Sequence, residues 1–91
     1  MKDLMPLGTV VTLKGGTQRI MIIGRIQRQD DTSRIYDYAA VLWPVGLIDS
    51  QHFYLFNHED IEILYHIGLQ DTEEFQYRTV LDEETKKLNI K

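Results

Sequence analysis

Apolar residues fall along this chain in short runs separated by turn signals. Thr9-Val10-Val11-Thr12-Leu13 follows Pro6-Leu7-Gly8 and stops at Lys14-Gly15-Gly16-Thr17. Its β-branched side chains suit a pleated, half-buried surface, so the run predicts a first strand. Residues 19–27 predict a second, the hairpin partner across the Gly-Gly connection, and Gly24 inside it predicts a bulge or sharp bend. Residues 28–34 are polar without apolar period and read as an exposed loop. Residues 35–43 predict a third strand, with Tyr36, Tyr38 and Ala40 on one face and Asp37, Ala39, Val41 and Trp43 on the other. Pro44-Val45-Gly46 ends it, because proline removes a ladder donor and glycine takes turn dihedrals.

Residues 52–56 predict a short fourth strand leading into Asn57-His58-Glu59-Asp60. There Asn57 caps a half-turn and Asp60, three residues on, answers as a capping-box variant. Ile61, Ile63, Tyr65 and Ile67 then alternate strictly, which places them on one face of a fifth strand closed by Gly68. Asp71-Thr72-Glu73-Glu74 is a helix start, with acids at the positive end of the dipole, and Lys86-Lys87 stand at the negative end of a helix from 72 to about 87. Its apolar stripe is narrow: Phe75, Tyr77, Val80, Leu81 and Leu88. The expectation is a single α+β domain over 1–91, with strands within 9–67. These form a small five-stranded antiparallel curved sheet or SH3-like barrel, and one C-terminal helix packs across a mouth of it.

Composition narrows the function classes. A chain of 91 residues buries a small core, with stability on the order of 5 to 9 kcal/mol. With 43% hydrophobic and 26% charged residues it is too apolar for a disordered chain and too interrupted for a membrane one. The start, Met1-Lys2-Asp3-Leu4-Met5-Pro6, has no signal-peptide run, and the apolar stretches 20–23 and 39–45 are far short of a spanning helix, so a cytoplasmic protein without membrane contact is expected. Cysteine is absent, which leaves no disulfide, thiolate nucleophile or cysteine-ligated zinc. A net charge of -4 argues against general binding to phosphate backbones, although Arg19, Arg25, Arg28 and Arg34 gather in the first half while the acids crowd the second. Nucleic acid is therefore the second reading, as a small SH3-like-barrel module.

Candidate chemistry is sparse. The spacing of His52, His58 and His66 matches no metal motif. His58-Glu59-Asp60 is the densest polar cluster, yet capping explains Asn57 and Asp60 without a pocket. Lys14-Gly15-Gly16-Thr17 lacks phosphate-loop spacing and leads into a strand, and Ser33 and Ser50 have no nucleophile-elbow context. No catalytic residue, cofactor or metal is expected. The aromatics of the middle third point instead to a partner groove, and Arg25, Tyr36, Tyr38, Trp43, Pro44, Asn57, His58 and Asp60 form the candidate interaction surface for a protein partner. An exposed sheet edge would also admit strand addition by that partner.

Residues 4–8 with Val10-Val11, the Lys14-Gly15-Gly16 turn, Met21-Ile22-Ile23-Gly24-Arg25, Tyr36-Asp37-Tyr38, Trp43-Pro44-Val45-Gly46 and Phe56-Asn57-His58-Glu59-Asp60-Ile61 resemble an uncharacterised family of small bacterial proteins. That family is carried as a domain of unknown function and is often encoded beside type VII secretion and LXG-toxin genes in Gram-positive bacteria. The resemblance covers roughly residues 4–75. It implies a non-enzymatic accessory role: a cytosolic adaptor, chaperone or immunity-type partner of a secreted toxin or of the secretion machinery. It carries no catalytic residue onto this chain. The secreted WXG-type pattern is absent, since Trp43 precedes Pro44-Val45-Gly46 and Tyr77 meets Leu81 at the fourth position, so retention rather than export is expected.

Overall fold

The computed structural model describes residues 4–29 and 33–87. Five strands, β1 Val10–Leu13, β2 Ile20–Arg28, β3 Ile35–Leu42, β4 Tyr54–Phe56 and β5 Ile61–His66, precede a helix, α1 Thr72–Lys87. All pair antiparallel, in the order β4-β3-β2-β1-β5. β4 and β5 are thus opposite edges of an open sheet, and of the two architectures expected it is the curved sheet and not the barrel that forms. A single-turn 3-10 helix, His58–Asp60, bridges β4 to β5 across the width of the sheet.

Alternation along the strands sorts the core. Leu4, Val11, Ile20, Ile22, Tyr38, Ala40 and Phe56 bury together on one face, and Leu81 of α1 closes over them. On the other face Val10, Ala39 and Val41 are also buried. The face assignment expected for β3 holds, with Tyr38 and Ala40 inside against the helix layer.

The anticipated irregularity in β2 is present: the β2–β3 register shifts between Ile22 and Gly24, so Ile23 is the extra residue of a bulge. A second irregularity has no sequence signal. Ile26 takes φ +53°, a left-handed conformation that costs a β-branched residue roughly 1–2 kcal/mol. The twist lets consecutive residues both serve the helix layer, because Arg25 reaches α1 while Ile26 packs against the core cluster.

The helix begins as expected. The Asp71 carboxylate accepts from the Glu74 N–H at 2.9 Å, and the Asp71 carbonyl accepts from Phe75 N–H. What it buries differs from the expected stripe: Leu81 and Thr85 are inside, whereas Phe75, Tyr77 and Val80 are about half exposed. Leu88 lies outside the described residues. Because Leu81 supplies most of the apolar docking, polar contacts carry much of the attachment. Arg25, with its side chain 3% exposed, donates both Nη groups to the Glu74 carboxylate at 2.5 and 2.9 Å. Arg78 donates to the same carboxylate at 2.9 Å, and Arg25 also lies over the Tyr77 ring. This fork-on-fork pairing is the strong geometry for a guanidinium and a carboxylate.

β5 departs most from its expected role. Ile61, Ile63, Tyr65 and Ile67 alternate in sequence, yet only Ile61 is half-buried and the others are exposed. Two register shifts against β1, between Val10 and Val11 and between Thr12 and Leu13, break the strict alternation, and the strand has a neighbour on one side only. No helix among the described residues is long and apolar enough to cross a membrane.

Candidate functional site

Two of the residues expected at an interaction surface are spent inside the domain. Arg25 is the helix anchor just described. Tyr38 is fully buried, its ring tilted against Phe56 at 5.3 Å between centroids. Its hydroxyl accepts from the Met5 N–H at 2.9 Å and lies 2.7 Å from His58 Nδ1. One hydroxyl therefore ties the N-terminal segment, β3 and the 3-10 turn together.

The Asn57–Asp60 corner is built from the same side. The Asp60 carboxylate accepts from Asn57 N–H at 2.9 Å, the return half of a capping box, and Asp60 N–H donates to the Asn57 carbonyl. Asn57 Oδ1 accepts from Asp37 N–H at 3.2 Å, and Asp37 in turn accepts from His58 N–H at 2.8 Å. Asn57, His58 and Asp60 thus serve a corner that ties the β4–β5 connection to β3. Tyr38→Phe should test this: packing is kept, Met5 N–H and His58 lose their partner, and stability is expected to fall by about 1–2 kcal/mol. Chemical denaturation with an unchanged m-value would check it.

The remaining candidates scatter. Tyr36 is half-buried under the Arg34 guanidinium, 5.1 Å from its ring centre. Trp43 and Pro44, joined by a cis peptide bond, stand exposed in the turn after β3. The first-half arginines do not share one environment: Arg25 is buried with Glu74, Arg34 lies over Tyr36, and Arg19 lies over Tyr65 at 5.4 Å.

Two recesses open on the sheet face away from α1. One, of about 570 Å³, lies between β2–β3 and the 50–55 segment, with Ile23, Ala39 and Phe53 beside Gln27, Arg28 and Gln51. At its margin the Asp49 carboxylate bonds His52 Nδ1 at 2.7 Å and accepts from Gln51 N–H, contacts that hold it below the ordinary carboxylate range. The other, of about 530 Å³, has the buried Val10 and half-buried Met21 as floor, the exposed Trp43 and Tyr65 as walls, and Arg19 and His66 at its rim. Trp43 is among the residues expected at an interaction surface; Tyr65 is not. No cluster of three or more metal-ligating side chains occurs among the described residues.

An open five-stranded antiparallel sheet with one helix on one face, and two recesses on the other, one of them aromatic-walled, defines a small α+β domain. Within that class the chain belongs to a known family: residues 4–77 match the domain of unknown function DUF4176. No curated protein and no solved structure gave a significant match.

Proposed function

We propose that this domain is a non-enzymatic protein-interaction module of adaptor, chaperone or immunity type, acting in the cytoplasm as an accessory to type VII secretion or to a toxin it exports. The cellular setting rests on the resemblance described above. The interaction role is supported by one observation, the apolar edge formed by β5 and the segment after it. Ile63, Leu64, Ile67 and Leu69 are 41–75% exposed, fall within seven residues of sequence and, among the described residues, have no neighbouring strand on the outer side. Isolated exposed apolar residues are ordinary, but a run of them on one edge is a surface that a partner would cover. The two register shifts in the β1–β5 ladder increase local twist, which disfavours plain strand addition and favours docking through these side chains.

Capture of partners by the wild-type domain in its host, compared with Ile63→Glu/Ile67→Glu, tests this. One identified protein should be retained by the wild type and lost by the double variant, with circular dichroism unchanged because both positions are already exposed. Equal capture by the two forms, or no enriched protein, would overturn the reading.

A further inference from the structure

We propose that the recess between Trp43 and Tyr65 binds an extended, proline-containing acidic segment of the partner protein, with the proline between the two rings and a neighbouring carboxylate on Arg19. The proposal rests on the protein-interaction reading above and assigns that function a second, chemically specific contact.

Three features of the recess carry it. The volume of about 530 Å³ falls within the range of sites that enclose a few side chains. The floor is apolar through Val10 and Met21, and its walls are flat aromatic rings left substantially open, Trp43 at 42% and Tyr65 at 50% exposure. Exposed aromatic side chains beside an apolar floor suit the rigid pyrrolidine of proline, whose extended backbone is already ordered before binding and loses little entropy.

Charge selects further. The chain is acidic overall, at -4, yet the rim of this recess carries Arg19 and His66. The Arg19 guanidinium lies over the Tyr65 ring and hydrogen-bonds no carboxylate among the described residues. Arg25 and Arg78, by contrast, are both committed to Glu74. A guanidinium whose charged-group contact is a ring keeps N–H donors available, and its planar fork of N–H groups is matched by a carboxylate in two-point geometry. Hydrogen bonds join the two chain segments that carry the recess: Trp43 N–H donates to the Arg19 carbonyl at 2.9 Å, and the Gln18 side-chain Nε2 donates to the Trp43 carbonyl at 3.1 Å. They hold the backbone of residues 19 and 43 side by side.

Trp43 is the one tryptophan in the chain, so its fluorescence reports on the recess directly. The capped peptide Ac-Ser-Asp-Pro-Pro-Asp-Ser-NH2 is titrated against the full chain, alongside versions with both aspartates changed to lysine or both prolines to glycine. Saturable change in Trp43 emission is expected with the first peptide. Each altered peptide should bind about tenfold or more weakly, and Arg19→Gln should weaken the first by a similar factor while leaving thermal unfolding unchanged. Tyr65→Leu, which keeps the reporter, should abolish saturation. No saturable response, equal binding of the lysine or glycine peptides, or an unaffected Arg19→Gln would each overturn the proposal. So would self-association of the chain that is competed by none of the peptides and lost in Tyr65→Leu, because the occupant would then be a second copy. Ile63 and Ile67 do not line this recess, so failure here leaves the β5 test of the interaction role intact.

Discussion

Gly68→Ala should lower stability by about 3 kcal/mol, near the upper end of what overpacking costs and a large share of what a domain this size possesses. A Cβ built on Gly68 would stand 1.9 Å from the Leu7 carbonyl oxygen and 2.8 Å from its carbon, and backbone atoms cannot swing aside as a flexible side chain could. The position is buried where the chain leaves β5 and passes the 6–9 turn. Gly68 N–H donates to Thr9 Oγ1 at 3.1 Å, and Thr9, fully buried, donates that hydroxyl to the Pro6 carbonyl at 2.8 Å. Any displacement that relieves the clash therefore breaks a bond between segments 59 residues apart in sequence. Thermal unfolding should shift down by about 15 °C. Gly16→Ala supplies the control, since its added Cβ meets only ordinary contact, 3.5 Å from the Leu13 carbonyl oxygen, and should change little. A Gly68→Ala protein that melts with the wild type would show that the 6–9 turn is not held against residue 68.

That crossing shows where sequence reasoning reaches its limit. Elements set by local chemistry were legible: the β-branched run of β1, the Gly24 bulge, and the Asp71 cap with its acids all depend on residues within a few positions of each other. Gly68 was read as a strand terminator, which it is, but its steric role depends on a carbonyl of Leu7 that only the folded topology brings near. β5 failed for a related reason. Its alternation of Ile61, Ile63, Tyr65 and Ile67 is the pattern of a half-buried strand, and the pattern does not say whether a layer lies over that face. Leu81 of the helix joins core residues of β1 to β4, and of β5 only Ile61 packs against that cluster, so the other apolar positions stay open.

The candidate surface divides in the same way. Trp43 and Pro44 stand exposed in the turn that ends β3. Arg25 and Tyr38 belong to the candidate surface in sequence, whereas in the fold each has long-range partners, Glu74 for the one and Met5 and His58 for the other, that satisfy it in the interior. Tyr65 reaches the recess through the β1–β5 register shift, which has no compositional signal.

Arg25→Met should be the second most damaging single change, at about 2 kcal/mol. Methionine roughly keeps the apolar volume but leaves the Glu74 carboxylate, 10% exposed, without its two-point partner, and removes the donor to the Met5 carbonyl. Removing one member of a buried pair commonly costs more than this, and here Arg78 remains to hold the charge. The pH dependence gives an independent check. Burial by itself would raise the Glu74 pKa, but the bonds from Arg25 and Arg78 outweigh it and hold the carboxyl below the ordinary range. A carboxyl lowered in the folded state binds its proton more readily when unfolded, so its stabilisation is fully present above about pH 4.3 and is lost as pH falls through the lowered folded value. The stability difference between wild type and Glu74→Gln should therefore be greatest near neutral pH and should close on acidification below 4. In an Arg25→Met background the same Glu74→Gln change should cost less, because the stronger partner is already gone. A difference that stays constant from pH 7 to 3, or an Arg25→Met/Glu74→Gln double variant whose losses simply add, would mean that Arg25 and Glu74 do not stabilise the fold through one another.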